Sequence, residues 1–397
     1  MRNARKKKIL SFRKIILSGI LALFVGVGIF SLTGNKSVPH SNIIDAQISQ
    51  YSDRNMTSNA VITNPEFKNI AFETSPPAKQ FFFSNQIAAV VRTVKSLITS
   101  PAEKAKEYGS WIWTPITQMT PEYVEKTLTD AQKDGVNVMY VSVDSYLDIF
   151  VMPKGEARER QKKIFGDILE DFIIRANYKG IAVDAEAGWR NWAEGENIYK
   201  AFTIANYVKN FNATRENKFR GFQYDVEPYL LDSYKEDPAS VLKNFVALVD
   251  KTEYFLSDSA LKFSVVIPDF YDKKDKMTPK FSYNGTREYA FKHLLNILDK
   301  REGSSIIIMS YRNFANGEDG AIEISSNEMQ TAKRGAYNTK IIIAQETGNV
   351  PPPYITFHST SKKYLGEQIN SINTAFKSHS NFGGIAIHYV NAFLELK

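Results

Sequence analysis

The feature that most restricts the fold of this chain is a repeated alternation of two kinds of segment after residue 105. Eight short runs rich in β-branched and other apolar residues, each closing on polar or aromatic residues, alternate with longer segments of helical periodicity. The runs cover residues 110–113, 137–144, 180–186, 221–227, 263–269, 305–311, 340–346 and 383–389. Eight βα units make up an α/β fold of the (β/α)8 TIM-barrel type. An open doubly wound sheet is the alternative, but the Gly-rich phosphate turn usual after its first strand is missing.

The segments between these runs carry recognisable helix signals. Thr120-Pro121 and Asp237-Pro238 each offer an N-cap followed by proline at the first helical position. Further helices are predicted over residues 157–177, 198–211, 287–300, 326–335 and 362–378. The last run leaves only residues 391–397, too few for a complete eighth helix. Residues 85–97 have apolar side chains at helical spacing, and we expect them to form a helix that docks over this gap.

The first 32 residues have the layout of a signal peptide or signal anchor. Positions 1–14 hold seven Lys and Arg residues and no acid, and an uncharged apolar run follows from Ile15 to about Leu32. The run is near the lower length limit for crossing a bilayer, and no clear Ala-x-Ala cleavage site follows it. We therefore predict a membrane anchor over residues 1–32, a polar linker over 33–104 and a catalytic barrel over 105–397. The barrel is expected outside the cytoplasm, anchored to the membrane, or secreted if the signal is cleaved.

Composition argues against several classes of function. The formal net charge of +7 is accounted for by the basic N-terminus, so the rest of the chain is nearly neutral and offers no general surface for nucleic acid. The chain has no cysteine, which excludes disulfides and thiolate chemistry. Its five histidines show no metal-ligand spacing, so we expect neither a histidine-built zinc site nor a cofactor.

Residues 221–229 (GFQYDVEPY) give the strongest sign of chemistry. The stretch begins as a strand and stops at Pro228, which cannot continue a hydrogen-bonded ladder. Asp225 and Glu227 are two residues apart, so on an extended backbone both carboxylates point to the same face. Salt-bridged or solvated edge residues are the ordinary explanation of such a pair, but the ends of the other strands favour a functional one.

Polar or aromatic residues close every predicted strand. In barrels of this type, the C-terminal ends of the strands meet at one mouth, where active sites lie. The residues concerned are Trp111, Trp113, Asp144, Asp184, Glu186, Asp225, Glu227, Asp269, Tyr311, Arg312, Gln345, Glu346, His388 and Tyr389. Carboxylates gathered in this way repel one another and raise each other's pKa values, a cost that a purely structural barrel has no reason to bear.

All four tryptophans of the chain fall near this predicted mouth. Trp111 and Trp113 end the first strand, and Trp189 and Trp192 follow the third. Tryptophan is often a core residue, but four at one mouth favour a platform on which the apolar faces of sugars stack. Tyrosines at the same strand ends could bind sugar hydroxyls; they are Tyr224, Tyr229, Tyr311 and Tyr389.

The acids suit the hydrolysis of a glycosidic bond. That reaction needs a proton donor with a raised pKa and a second group that stabilises or attacks the oxocarbenium-like centre. Glu227 fits the donor, because like-charge repulsion from Asp225 raises its pKa.

These residues resemble glycoside hydrolase family 18, the chitinases and endo-N-acetylglucosaminidases. The fourth strand of that family carries Asp-Gly-x-Asp-x-Asp-x-Glu, and residues 220–227 (RGFQYDVE) keep the glycine and the last two acids but have Arg220 and Gln223 at the first two acidic positions. The sixth strand of the family carries Met-x-Tyr-Asp, and residues 309–312 (MSYR) keep Met and Tyr. The resemblance implies Glu227 as the acid, Asp225 as the group that orients a substrate N-acetyl, and Tyr311 as a donor to the acetamido oxygen.

A second resemblance is to the retaining barrel hydrolases such as cellulases and β-galactosidases. Their acid/base is often in Asn-Glu-Pro on the fourth strand and their nucleophile in Thr-Glu-x-Gly on the seventh; this chain has Val226-Glu227-Pro228 and Gln345-Glu346-Thr347-Gly348. It implies a Glu227/Glu346 pair with carboxyl groups about 5 Å apart. Both resemblances imply a glycan substrate and Glu227, and they differ in whether Asp225 or Glu346 is its partner.

Two alternatives come from other functional classes. One is a metal-dependent hydrolase in which Asp144, Asp184, Asp225 and Asp269 ligate a hard divalent cation. The other is a barrel that binds carbohydrate without cleaving it, which the replaced family acids would allow. The sequence favours a glycoside hydrolase of a cell-envelope or extracellular, N-acetylated polysaccharide. In that hydrolase the catalytic residues would be Asp225, Glu227, Tyr311 and Glu346. The residues expected to bind substrate are Trp111, Trp113, Asp144, Asp184, Glu186, Trp189, Asp269, Arg312, His388 and Tyr389.

Overall fold

A closed barrel of parallel strands forms the body of the protein. The computed structural model describes residues 106–273 and 278–397. Its strands are β1 (Glu107–Ile112), β2 (Val138–Ser142), β3 (Ala182–Ala187), β4 (Gly221–Tyr224), β5 (Lys262–Pro268), β6 (Phe281–Tyr283), β7 (Thr286–Glu288), β8 (Ser305–Met309), β9 (Lys340–Glu346) and β10 (Phe382–His388). Within these residues, eight strands close in the order β1-β10-β9-β8-β5-β4-β3-β2, which confirms the predicted (β/α)8 barrel.

Helices cover the outside of the barrel. They are α1 (Pro121–Lys133), α2 (Tyr146–Phe150), α3 (Glu156–Tyr178), α4 (Ile198–Thr214), α5 (Asp232–Glu236), α6 (Pro238–Phe255), α7 (Ala290–Leu298), α8 (Ala321–Arg334), α9 (Lys362–Phe376) and α10 (Val390–Glu395). Both predicted N-caps are confirmed: the N–H of Tyr123 donates to Thr120 Oγ1 and the N–H of Ser240 donates to Asp237 Oδ1. The helix after the last strand is short, as predicted.

The predicted helix over residues 287–300 begins later than expected. The strands β6 and β7 pair as an antiparallel hairpin, and α7 starts only after them. Asn284 and Gly285 both have positive φ, which is the conformation that a tight two-residue hairpin turn requires. The Asn-Gly dipeptide is therefore the local signal that ends the helical pattern.

The predictions for the N-terminal region lie outside the described residues. They are the anchor (1–32), the linker (33–104) and the docking helix (85–97). In the part of the chain that is described, no helix has the length and apolar character needed to span a bilayer.

An apolar layer fills the middle of the barrel. Residues that face inward alternate along each strand, and the buried members of this layer are Trp111, Val138, Tyr140, Val266, Ile307, Ile342, Ala344 and Ala386. The Trp111 and Tyr140 rings pack 4.8 Å apart between centroids. The Trp111 indole N–H donates to Gln223 Oε1 at 2.7 Å, which satisfies the buried indole and the buried amide together.

A charged network closes the barrel at the N-terminal ends of the strands. Arg220, which precedes β4, donates from Nε to Asp184 Oδ1 (2.8 Å) and from Nη1 to Glu107 Oε2 (2.7 Å), and the Tyr140 hydroxyl donates to Glu107. Glu107 is the first residue of β1, and Asp184 lies opposite Gly221, the first residue of β4. The structure thus corrects the prediction that Asp184 lies at the mouth, because register places it at the opposite end.

Candidate active site

The C-terminal ends of the strands bring together most of the predicted site residues. Asp144 follows β2, Glu186 lies near the end of β3, and Asp225 and Glu227 follow β4. The remaining contributions come from the other side of the barrel, and they are Trp113 after β1, Tyr311 after β8, Glu346 at the end of β9 and His388 at the end of β10. The mouth therefore combines acids from three neighbouring strands with aromatic rings, an imidazole and a fourth acid, Glu346, from the other side of the barrel.

Glu227 is a buried acid that accepts a hydrogen bond from a neighbouring tyrosine. Its side chain is 8% exposed, and the Tyr229 hydroxyl donates to its Oε1. Burial and the nearby charge of Asp225 raise the pKa of Glu227 to about 8, against the opposing effects of Tyr229, His388 and Arg190. At neutral pH Glu227 is thus mostly a neutral carboxylic acid that can give up a proton.

Asp225 lies beside Glu227 and remains the more acidic of the two. Burial raises the pKa of Asp225 to about 6, and the nearby His388 limits the rise. Among the described residues, its Oδ1 is buried without a hydrogen-bond partner. The backbone here is tightly packed: a Cβ added to Gly188 would lie 2.0 Å from the carbonyl oxygen of Asp225, so only glycine fits at position 188.

Asp144 and Glu186 extend the acidic cluster across the neighbouring strands. Glu186 is only 1% exposed, and burial together with Asp144 and Asp225 raises its pKa well above the usual range. Burial also raises the pKa of Asp144 to about 8, although the backbone N–H of Gly188 donates to it. Glu186 Oε2 and Asp144 Oδ1 have no hydrogen-bond partner within the described part of the chain.

Glu346 is engaged by two fixed donors. Its Oε1 accepts from the N–H of Gly348 (2.6 Å), and its Oε2 faces His388 Nδ1 at 2.7 Å. The other ring nitrogen of His388, Nε2, accepts from the Trp113 indole N–H at 2.9 Å. When the ring is neutral, the tautomer that satisfies both contacts carries its proton on Nδ1. Glu346 is fully buried, and both of its oxygens are used within the protein.

Tyr311 faces the centre of the mouth, but Arg312 and Asp269 do not join it there. Burial and the charges of Glu346, Asp225 and Glu227 raise the pKa of Tyr311 well above its usual range. Arg312 instead forms a two-pronged pair with Asp319, at 3.0 and 2.8 Å. Asp269 lies 3.7 Å from Lys273, and its charge acts on Arg312. These groups form a separate cluster.

The structure reduces the predicted platform of four tryptophans to two half-buried rings. Trp111 belongs to the core, and Trp192 is also 1% exposed, packing edge-on against Tyr224. Trp113 and Trp189 keep part of their surface exposed. Tyr224 does not face the mouth either, since its hydroxyl donates to the carbonyl of Ala201 in α4; Tyr389 is half-buried next to His388.

Sequence reasoning missed the groups that hold the acids in place. The N–H groups of Gly188 and Gly348 donate to Asp144 and Glu346, and the Tyr229 hydroxyl donates to Glu227. The sequence features that could have indicated these donors are Gly188 and Gly348, which come just after β3 and β9. Their role depends on the path of the loops.

The four-acid metal site is not assembled. Asp184 lies at the other end of the barrel from Asp144 and Asp225, and Asp269 pairs with Lys273. In the described ranges, no group of three His, Asp or Glu side chains is arranged to hold a metal ion.

Comparison with known proteins finds similarity only at the level of solved structures. No protein family and no curated protein sequence matches the chain. An endo-1,4-β-mannanase from Rhizomucor miehei is similar with a TM-score of 0.47 and 11% identity over 73% of this chain and 87% of that one. A β-glucosidase from Thermotoga maritima is similar with a TM-score of 0.43 and 11% identity over 73% of this chain and 89% of that one. The spore cortex-lytic enzyme SleL from Bacillus megaterium QM B1551 is similar with a TM-score of 0.40 and 13% identity over 74% of each chain. At these values the likeness carries no argument about function.

Proposed function

We propose that this barrel is a glycoside hydrolase that cleaves an N-acetylated polysaccharide, with Glu227 as general acid/base. The observation that carries the proposal is the pair at the end of β4, in which a buried, neutral Glu227 lies beside a more acidic Asp225. Two carboxyl groups whose environments separate their pKa values are the arrangement that glycosidic hydrolysis needs. Half-buried Trp113 and Trp189 supply apolar surface for sugar rings.

The proton of Glu227 would pass to the glycosidic oxygen as the bond from that oxygen to the anomeric carbon breaks. The acetamido oxygen of the same sugar would then form the new bond to the anomeric carbon, with Asp225 accepting from the acetamido N–H and Tyr311 donating to the acetamido oxygen. Water would next attack the anomeric carbon as the bond from that carbon to the acetamido oxygen breaks, and the water would lose a proton to the Glu227 carboxylate, which restores the starting state. Asp225 fits this role because its Oδ1 is unpartnered among the described residues.

Glu346 suits the role of nucleophile less well. A nucleophilic carboxylate must present an oxygen to the anomeric carbon, and both oxygens of Glu346 are held within the protein, by Gly348 and by His388. We therefore place Asp225 rather than Glu346 as the partner of Glu227, and assign Glu346 to fixing His388.

The N-terminal sequence supports a location outside the cytoplasm for this proposed activity. A basic head followed by an apolar run is typical of export, so the proposed substrate is a polysaccharide of the cell envelope or the exterior.

The direct test is the release of reducing ends from N-acetylated and neutral polysaccharides by the full chain. We expect cleavage of N-acetylated polymers, loss of that cleavage in Asp225→Asn, and substantial activity in Glu346→Gln. Cleavage of neutral polymers that Glu346→Gln abolishes would favour the two-glutamate mechanism instead.

A carbohydrate-binding barrel without activity is the second candidate. Arg220 and Gln223 replace the first two acids of the family pattern, and both are already bonded within the protein, Arg220 to Asp184 and Glu107 and Gln223 to Trp111. Binding without any cleavage would support it.

The activity should have a bell-shaped pH dependence. Asp225 must be ionised, so kcat/KM falls as pH drops through about 6, and Glu227 must be protonated, so kcat/KM falls as pH rises through about 8. We expect the maximum between these values. The measurement is kcat/KM against pH on one N-acetylated polymer, and an optimum well below the pKa of Asp225 would contradict the assignment.

Tyr229→Phe should move the basic limb of this profile. The Tyr229 hydroxyl favours the ionised form of Glu227, so its removal raises the pKa of Glu227 and shifts the limb upwards by about one pH unit. Tyr224→Phe is the matched control, since it removes an equally buried hydroxyl that bonds to Ala201 outside the mouth. An equal shift in both variants would show that Tyr229 has no specific effect on Glu227.

A further inference from the structure

The aromatic side of the mouth is arranged around the imidazole of His388. Trp113, Tyr311 and Tyr389 are partly buried and pack on the apolar layer that fills the barrel. The centroid of the imidazole lies 5.7 Å from the Trp113 ring, 6.0 Å from the Tyr311 ring and 5.4 Å from the Tyr389 ring. It also lies 5.8 Å from Trp111, which belongs to the apolar layer itself. A titratable ring is therefore in contact with the aromatic surface that sugar rings would use.

A chain of hydrogen bonds fixes this imidazole and, through it, the Trp113 indole. The N–H of Gly348 donates to Glu346 Oε1 at 2.6 Å, and Glu346 Oε2 lies 2.7 Å from His388 Nδ1. On the other side of the ring, the indole N–H of Trp113 donates to His388 Nε2 at 2.9 Å. An indole nitrogen can only donate, so Nε2 must keep its lone pair for this contact to form. The neutral ring with its proton on Nδ1 is the form that satisfies both neighbours.

Protonation of His388 would remove the acceptor on which Trp113 depends. An imidazolium carries N–H groups on both nitrogens and accepts no hydrogen bond. Burial lowers the pKa of this ring, but the negative charges of Glu346, Asp225 and Glu227 outweigh burial and raise the pKa above its ordinary value. The indole N–H acts in the opposite direction, because a donor to Nε2 favours the neutral ring. The two protonation states of His388 thus differ in whether Trp113 has a partner.

We infer that His388, as a neutral imidazole held by Glu346, is a positioning residue that fixes the orientation of the Trp113 indole as a stacking surface for a sugar ring. Both ring nitrogens of His388 are used within the protein, so the imidazole acts on substrate through Trp113. The stacking part of the inference rests on the proposed function, whereas the hydrogen bond that orients the indole does not.

The test follows the indole N–H signals of the full chain by proton-nitrogen NMR, with isotope label in tryptophan and histidine. The chain has four tryptophans and therefore four such signals, and Trp113→Phe identifies the one concerned. We expect this signal to be protected from exchange with water in the parent and in His388→Gln, whose amide keeps an acceptor and a donor but does not titrate. In His388→Phe, which has no acceptor, we expect exchange about tenfold faster.

Trp111 is the matched internal control. Its ring lies as close to His388 as that of Trp113, but its indole N–H donates to Gln223 Oε1 at 2.7 Å, an acceptor that does not titrate. On acidification, the Trp113 signal of the parent should lose its protection as the imidazole takes up a proton, while the Trp111 signal keeps its protection. In His388→Gln, both signals should stay protected.

A Trp113 signal that stays protected in His388→Phe, or in the parent after the imidazole is protonated, would overturn the inference. If His388→Phe does not fold, the pH titrations of the parent and of His388→Gln decide. An unprotected Trp113 signal in the parent at alkaline pH would overturn the inference as well.

The stacking role is measured on an N-acetylated polymer that the parent cleaves. His388→Phe should raise KM by about threefold to tenfold and lower kcat less, because the loss falls on sugar binding rather than on proton transfer. His388→Gln should keep KM close to that of the parent. A fall in kcat at unchanged KM would overturn the stacking role. If the parent cleaves no polysaccharide, the proposed glycosidase activity fails, while the NMR signals still decide whether His388 orients Trp113.

Discussion

Glu227→Gln should lower kcat by about 10²–10⁴-fold while the affinity for polysaccharide is kept. The substitution preserves the shape of the side chain and its acceptor for the Tyr229 hydroxyl, but it removes the only proton that the proposed mechanism gives to the leaving oxygen. Comparing the thermal unfolding of the variant with that of the parent tests whether the substitution has disturbed the fold. The measurement is reducing-end release under saturating substrate, with binding followed separately by co-sedimentation with the polymer.

Glu328→Gln provides the comparison for this loss. Glu328 is also a fully buried acid with a raised pKa, but it lies in α8 beside Asp272. A general effect of neutralising buried acids would lower kcat in both variants to a similar extent. Retention of most of the parental kcat by Glu227→Gln would remove Glu227 from the chemistry.

Arg220→Met should destabilise the fold by about 3–5 kcal/mol, because it leaves the buried Asp184 carboxylate, together with Glu107, without a cation. Methionine retains much of the apolar length of arginine, so the loss of charge dominates the change. Arg175→Met is the matched control: Arg175 pairs with Asp171 on the exposed face of α3, and such surface pairs contribute about 0–1 kcal/mol. Urea unfolding of the parent and both variants measures the difference.

Asp184→Asn added to Arg220→Met sharpens that result. If the cost comes from an unpaired buried carboxylate, removing this charge should recover part of the lost stability. A double variant that is less stable than Arg220→Met would instead point to packing of the arginine side chain as the main contribution.

The strands were predictable from sequence because apolar period and strand length are local properties. The run 340–346 coincides with β9, and the acids Asp225 and Glu227 were placed at the mouth correctly. Depth inside the barrel was not predictable. Asp184 and Glu186 are two residues apart and therefore share the inward face of β3. The register with β4 nevertheless places Asp184 against Arg220, and only Glu186 lies at the mouth.

The same limit explains the aromatic residues and Arg312. Trp111 and Trp113 share the inward face of the first strand, but only the barrel's closure shows that Trp111 lies beneath the mouth, bonded to Gln223. Arg312 is drawn away by Asp319, seven residues along the chain, through a loop whose path no periodicity describes.

The contacts of His388 have a consequence for chemical probing of the mouth. Trp113 occupies one ring nitrogen and Glu346 the other, so the imidazole has no free edge to offer to an electrophile or to a transition metal. We therefore expect that His388 neither reacts with a reagent that acylates histidine nor binds an immobilised nickel ion, although it lies at the opening of the barrel. Carboxyl groups and aromatic rings are therefore the surface that these strand ends offer to a small molecule, and a ligand of this protein would have to match them.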